Sequence, residues 1–194
     1  MIILLAVFVY SLFHSILASL WVKARARAWF GLETERWYRL AFNAIAVVSL
    51  VPVLALPALL PDRNVYTIPF PWAYINLAIQ GLAGLALIVG LWQTGLWSFL
   101  GIQQFLTPPK SDPPKLVVGG LYRWVRHPLY TAGLALIWFI PVMTTNLLAL
   151  ILGLSIYLVV GALFEERRLL VEHGEAYADY QRRTPMLIPT RFPR

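Results

Sequence analysis

The chain has 194 residues, of which 59% are hydrophobic and only 13% are charged. Soluble domains carry roughly 25% charged residues, so this composition excludes an ordinary soluble domain and is typical of a membrane protein. Because the sequence contains no cysteine, it also excludes disulfides, a thiolate nucleophile and cysteine metal ligands. The net charge of +7 would suit nucleic acid, but the basic residues are confined to segments between or after apolar runs.

Five apolar runs predict an all-α fold, a polytopic helical membrane protein forming one domain over residues 1–194. The transmembrane helices are predicted at about 1–20, 40–60, 72–96, 128–143 and 147–164. The first run is interpreted as a retained helix, because its positive charges follow the apolar core, whereas those of a signal peptide precede it. Residues 165–194 are predicted to form a charged helical tail, whose first part is an amphipathic helix ending near Thr184.

The basic residues are distributed very unevenly along the chain. Residues 23–39, 97–127 and 165–194 contain five, four and six Lys or Arg residues, and Arg63 is the only one elsewhere. The positive-inside rule assigns such segments to the cytoplasmic face. We therefore predict an N-terminus outside and a cytoplasmic tail, with membrane lipids as partners and no nucleic acid.

Two polar segments interrupt the apolar C-terminal half, Gly119–Tyr130 and Glu165–Arg168. They flank a predicted hairpin of two helices, each roughly 24–27 Å long at about 1.5 Å per residue. These helices are slightly shorter than a roughly 30 Å hydrocarbon core, so both inner ends should lie at the same membrane surface. The hairpin therefore predicts that His127 and Tyr130 face the glutamates at positions 165 and 166.

The residue types of these two segments favour a ligand with several kinds of polar group. A helix that begins at Pro128 presents the positive end of its dipole, and Arg123 and Arg126 add positive charge. Glu165 and Glu166 can accept hydrogen bonds from an ammonium group or from sugar hydroxyls. Flat faces for a ring or a cation are offered by Tyr122, Trp124 and Tyr130. S-adenosylmethionine has all the matching groups, and a phospholipid headgroup has some of them.

These segments resemble a known family. Gly-Leu-Tyr-Arg-Trp-Val-Arg-His-Pro-Leu-Tyr, at 120–130, and Glu-Glu-Arg-Arg-Leu-Leu-Val-Glu-His-Gly-Glu-Ala-Tyr, at 165–177, resemble the integral-membrane methyltransferases related to isoprenylcysteine carboxyl methyltransferase and phospholipid methyltransferase. The resemblance covers about residues 97–190. The N-terminal half, with Phe-His-Ser at 13–15, looks more like a bacterial branch that includes thiol methyltransferases and a family associated with nitrite and nitric oxide reductase genes. This likeness implies a bacterial inner membrane.

The resemblance implies transfer of a methyl group from S-adenosylmethionine to a small or lipophilic acceptor, namely a thiol, an amine or a carboxylate. It implies that the cofactor is bound by Gly120, Leu121, Tyr122, His127, Tyr130, Glu165 and Glu166. It also implies that Arg126 lies near the transferring methyl group or the acceptor, so Arg126 and Glu165 are the predicted catalytic residues. Isoprenylcysteine enzymes often carry a basic residue shortly before the glutamate pair, but residues 162–164 are Ala-Leu-Phe. This departure argues against a prenylated carboxylate substrate.

The sequence also bears on functions other than methyl transfer. The three histidines, His14, His127 and His173, lie on separate segments, so no metal site is predicted. A transporter is disfavoured, because no Asp, Glu, Lys or Arg lies inside a predicted span. The alternative is a non-enzymatic membrane factor associated with a nitrite or nitric oxide reductase system. Tyr177 and Tyr180 are expected to serve in packing or as interfacial anchors and not as ligands, and the sequence specifies neither the acceptor atom nor the oligomeric state.

Overall fold

In the computed structural model, the described residues are 1–107 and 116–190, with the side chain of Glu35 excepted. This part of the chain is mostly helical. The helices are α1 (Ile2–Ala18), α2 (Leu20–Phe30), α3 (Thr34–Leu59), α4 (Ala73–Thr94), α5 (Leu96–Leu100), α6 (Ile102–Leu106), α7 (Pro128–Trp138), α8 (Thr145–His173) and α9 (Glu175–Arg183). The remaining elements are a 3₁₀ turn, Gly120–Arg123, and two short strands, β1 (Asn64–Thr67) and β2 (Val142–Thr144). The polar segment between the third and fourth predicted spans contains Pro108, Pro109, Pro113 and Pro114, which rule out a continuous helix there; these four residues lie outside the described ones.

Within the described residues, three helices, α3, α4 and α8, are long and apolar enough to cross a membrane. A fourth crossing is added if α1 and α2, which meet at a bend of 56°, count as one span. The shorter α7 is apolar but has only 11 residues. Large apolar side chains are exposed along these helices, as expected where the surroundings are lipid.

The first of two compact units comprises the described residues of 1–63, 95–107 and 145–153. In this unit α1 packs on α3, and Val7 is buried against Gly153, where an added Cβ would lie 3.0 Å from the valine Cγ1. The Ser19 hydroxyl accepts a hydrogen bond from the N–H of Val22 and so caps the start of α2. Residues 23–39, the first of the basic segments between the predicted spans, are therefore largely helical. They contain most of the capped helix α2 and the first turns of α3.

The second unit comprises the described residues of 64–94, 116–144 and 154–190. Its α4 packs closely on α7, because Gly90 leaves room for Leu129. The Gln80 side chain donates a hydrogen bond across this contact to the carbonyl of Leu136, over 2.8 Å. Strands β1 and β2 pair antiparallel, so the all-α prediction missed a small ribbon between the helices.

The hairpin that carries the two polar segments differs from its prediction at both helices. The span predicted at 128–143 has a helix only as far as Trp138, because Pro141 lacks an N–H and disfavours a helical residue before it. Residues 144–146, which the sequence predicts as the turn between the two helices of the hairpin, are instead the end of β2 and the beginning of α8. The span predicted to end at Phe164 continues as helix to His173, and Gly174, at φ +55°, follows it.

Candidate active site

Four elements of the second unit bring the two polar segments together: the 3₁₀ turn, the start of α7, the end of α8, and α9. Pro128 is the first residue of α7 and His127 precedes it, as the sequence predicted. Both glutamates lie within α8, since that helix extends beyond its apolar part. The hairpin brings His127 and Tyr130 against Glu165 and Glu166, so the predicted juxtaposition is present.

Glu166 is the centre of a buried hydrogen-bond network. Its Oε1 lies 2.6 Å from the Nε of Arg126 and 3.2 Å from the Nε2 of His127. Its Oε2 accepts a hydrogen bond from the side-chain amide of Gln181, over 3.0 Å. Both carboxylate oxygens are therefore engaged, and the buried negative charge is matched by the arginine. This arrangement makes Glu166 a residue that holds its neighbours in place.

Glu165 occupies a different environment from its neighbour in sequence. Its side chain is 46% exposed, and its Oε2 lies 3.7 Å from the Nδ1 of His127. The same oxygen accepts a hydrogen bond from the hydroxyl of Tyr130, over 2.9 Å. Burial, helped by the charge of Glu165, raises the pKa of the Tyr122 hydroxyl to about 12. Glu165 thus presents a partly accessible carboxylate bordered by one imidazole and two protonated tyrosines.

Arg126 connects the glutamate network to the end of α9. Its Nη1 donates hydrogen bonds to the backbone carbonyls of Gln181 and Thr184, over 3.1 and 2.6 Å. These carbonyls belong to the last turn of α9 and its C-cap, where unpaired acceptors and the negative end of the helix dipole favour a cation. The guanidinium therefore fixes α9 to the start of α7.

The three residues after Thr184, which we call the C-terminal strap (residues 185–187), lie along the start of α7. Their carbonyls accept hydrogen bonds from the N–H of Arg126 (2.9 Å), the N–H of His127 (3.1 Å) and the hydroxyl of Thr131 (2.7 Å). Three backbone carbonyls in a row thus fix the segment that contains the arginine and the histidine. The C-terminal strap therefore lies along one side of the site and stabilises it.

The 3₁₀ turn contains Gly120, Leu121 and Tyr122, which are predicted to bind the cofactor. Hydrogen bonds of its backbone groups fix the turn in place. The N–H of Leu121 donates to the side-chain Oε1 of Gln93 on α4, over 3.1 Å. The carbonyl of Tyr122 accepts a hydrogen bond from the hydroxyl of Tyr180 on α9, over 2.6 Å. The turn is therefore fixed to a helix on each side.

Several residues of the site gave no usable signal in the sequence. Tyr177 and Tyr180 pack as expected, yet the hydrogen bond from Tyr180 to the 3₁₀ turn was not predicted. Gln181 and the strap act through an amide and through carbonyls, which no residue pattern distinguishes from an ordinary polar tail. Within the described residues, no three His, Cys, Asp or Glu side chains are grouped so that they could hold a metal ion.

Gly120→Ala should lower the free energy of unfolding by about 1–3 kcal/mol. Gly120 has φ +60°, and an added methyl group would overlap the side-chain amide of Gln93, which must then give up Leu121. The neighbouring Gly119 has φ −96° and open space around the position of a Cβ, so Gly119→Ala is the matched control. Thermal unfolding in detergent should separate the two variants, and equal midpoints would contradict the tight fit of the turn.

Comparisons with known proteins consistently find methyltransferases. The family described as phospholipid methyltransferase matches residues 72–175, which include every residue of the predicted site. A methanethiol S-methyltransferase of Crocosphaera subtropica is 33% identical over 128 residues, 61% of this chain and 50% of that protein. A methanethiol S-methyltransferase of a Pseudomonas species is 32% identical over 154 residues, 77% of this chain and 58% of that protein.

A shorter and more similar match is methanethiol S-methyltransferase 2 of Bradyrhizobium diazoefficiens, 46% identical over 74 residues, 38% of this chain and 29% of that protein. The chain spans about half the length, or less, of these curated relatives. No solved structure matches it.

Proposed function

Because the chain belongs to the phospholipid methyltransferase family, we propose that it is an integral-membrane enzyme that uses S-adenosylmethionine to methylate a small thiol. The observation that carries the proposal is the half-exposed carboxylate of Glu165, held by Tyr130 beside His127. A carboxylate in this setting can receive a positively charged or hydrogen-bond-donating ligand. The names of the relatives favour a thiol as the acceptor.

The donor set fits the proposed cofactor. S-adenosylmethionine, when bound, would supply a methyl group already activated by a positively charged sulfur. Glu165 would hold its cationic or hydroxyl groups, with Tyr130 and His127 beside it. The 3₁₀ turn at 120–122 would contribute backbone and the ring of Tyr122. Each of these residues was predicted from the sequence, and each stays a proposal for cofactor binding.

The two glutamates have separate roles in this proposal. Glu166 is engaged on both oxygens, so it positions Arg126 and His127. Glu165 uses only Oε2 within the described residues, and its Oε1 can accept a hydrogen bond from a ligand. We assign the catalytic contact to Glu165. For Arg126, the bonds to Glu166 and to the end of α9 favour a positioning role.

The residues before the glutamate pair lack the basic side chain that would recognise a carboxylate. Isoprenylcysteine-type enzymes often carry a basic residue shortly before the pair, whereas residues 162–164 are Ala-Leu-Phe, of which the first is buried and the other two are exposed. None of the three offers a positive charge. A neutral thiol needs no such partner, and this agrees with the relatives' names.

The length of α8 supports a site at the membrane surface. From Thr145 to Phe164 the helix is apolar and about 30 Å long, which matches the hydrocarbon core. Glu165 and the turns beyond it would therefore emerge from the bilayer. We propose five membrane crossings, with α7 and the residues after it as the fourth, and a cytoplasmic tail in a bacterial inner membrane. The asymmetry of basic residues supports this orientation.

Calorimetry of S-adenosylhomocysteine and S-adenosylmethionine binding to the detergent-purified protein tests the proposal. Wild type should bind both, and Glu165→Gln should weaken binding by about 10- to 100-fold, because a hydrogen bond to a charged group is lost. Glu172→Gln is the matched control, since Glu172 lies on the same helix and only approaches Arg168 at 3.9 Å. Transfer of a labelled methyl group to methanethiol identifies the acceptor.

Two outcomes would contradict the proposal. A folded wild type that binds neither compound would favour the alternative of a non-enzymatic membrane factor. Equal affinities for Glu165→Gln and Glu172→Gln would remove Glu165 from the site. His127→Ala serves as a second variant and should also weaken binding, because the ring lies between the two carboxylates.

A further inference from the structure

Two neighbouring tyrosines of α9 are both buried, but their hydroxyls make different contacts. Tyr177 is 1% exposed and Tyr180 is 8% exposed, and their ring centroids are 5.9 Å apart. The hydroxyl of Tyr180 donates to the carbonyl of Tyr122. The hydroxyl of Tyr177 is buried and donates a hydrogen bond to no group in the described ranges. One of the two hydroxyls is therefore unsatisfied, although buried donors are nearly always paired.

The unsatisfied hydroxyl lies in the electrostatic field of the candidate active site. Burial is the main reason that the pKa of Tyr177 is raised to about 12, and the charges of Glu166 and Glu165 raise it further, against the opposing charge of Arg126. The hydroxyl is therefore protonated at neutral pH and is a hydrogen-bond donor. Tyr177 thus stands beside the groups that form the site.

The neighbouring side chains do not accept this proton. Arg126 is close enough for its charge to act on the hydroxyl, but a guanidinium only donates hydrogen bonds. Glu166 accepts hydrogen bonds from Arg126, His127 and Gln181 and none from Tyr177. Within the described residues the O–H of Tyr177 therefore has no acceptor, and a molecule bound in the site can supply one.

We infer that Tyr177 donates a hydrogen bond to an acceptor atom of the bound methyl donor, in the site formed by His127 and Glu165. The inference rests on the proposed function and adds a ligand-binding residue to it. If Tyr177 served only to fill space, phenylalanine would fill the same volume without leaving a buried donor unpaired. The hydroxyl therefore calls for a ligand, and the methyl donor has carboxylate and hydroxyl oxygens that accept.

The experiment compares Tyr177→Phe with Tyr38→Phe, using the whole protein in detergent. The hydroxyl of Tyr38 lies in the first unit, outside the site, and donates to the backbone carbonyl of Leu17 over 2.6 Å. For each variant the thermal midpoint is measured without ligand, and S-adenosylhomocysteine affinity is measured by calorimetry. Tyr177→Phe should keep or raise the ligand-free midpoint and should weaken binding about tenfold. Tyr38→Phe should show the opposite pattern: a lower midpoint, because a hydrogen bond is lost, and an affinity within about twofold of wild type.

The outcomes distinguish a failure of the proposed function from a failure of the role inferred for Tyr177. Failure of folded wild type to bind overturns the proposed function and this inference together. Wild-type binding with unchanged affinity in Tyr177→Phe overturns only the inference. A lowered ligand-free midpoint in Tyr177→Phe would show that the hydroxyl has a partner in the free protein, which also overturns it. An unchanged affinity with a raised KM for methanethiol would place the hydroxyl on the thiol instead of the methyl donor.

Discussion

Replacing Glu166 by alanine is expected to lower the free energy of unfolding by about 3–5 kcal/mol. In the described part of the chain, the substitution removes the only carboxylate paired with the guanidinium of Arg126, and it leaves the side chains of His127 and Gln181 without their acceptor. An unpaired buried charge is far more destabilising than the loss of the pair as a whole. Thermal unfolding, with unfolding by SDS titration as a second measure, should show the loss.

The matched control is Glu172→Ala, six residues later on the same helix. Glu172 only approaches Arg168, at 3.9 Å, and the arginine side chain is 62% exposed. Partly exposed pairs contribute little, so the change should stay within about 1 kcal/mol. A loss of similar size in both variants would mean that the helix end is generally sensitive to replacement, and the network centred on Glu166 would lose its assigned role.

Gly101→Ala is expected to destabilise the first unit by about 3 kcal/mol or more. Gly101 is buried at the junction of α5 and α6, with φ +87°. A Cβ at this position would lie 2.6 Å from the backbone nitrogen of Leu40 and 2.9 Å from the carbonyl carbon of Arg39, both part of α3. Backbone atoms of a long helix cannot move aside as the end of a side chain can. The thermal midpoint of the purified protein is the measurement.

Gly95→Ala provides the control, because this position also has a positive φ but lacks the close approach to backbone atoms. Gly95 has φ +83°, and an added Cβ would meet only the Cβ of Ser98, at an ordinary 3.7 Å. This variant should lose about 1 kcal/mol, the penalty of the left-handed conformation alone. If Gly95→Ala were as damaging as Gly101→Ala, the backbone conformation and not the helix contact would explain both.

Much of the candidate site was predictable from the sequence, because its central contact depends on helix length and connectivity. Two apolar runs of similar length with a short connection place their far ends side by side, whatever happens in detail at that connection. The contact of Tyr130 with Glu165 survives although α7 ends early at Trp138. The length of α8 was underestimated, because hydropathy reports where lipid ends and says nothing about where the helical hydrogen bonds end.

The parts that could not be predicted rely on backbone groups or on generic polar side chains. The pairing of β1 with β2 joins segments far apart in sequence through main-chain bonds alone. In the sequence, nothing distinguishes Gln181 from any other polar residue on a tail helix. Only the three-dimensional arrangement shows that one of its hydrogens contacts Glu166.

The C-terminal strap has a consequence for how the protein is made. A ribosome synthesises Arg126 and His127 well before it reaches residues 185–187, and each N–H of the earlier pair must wait for its carbonyl. The helices of the hairpin can enter the membrane in the meantime, since their own backbone bonds are internal. Assembly of the site is therefore a late event of biogenesis, completed when the nascent tail folds back onto the finished hairpin.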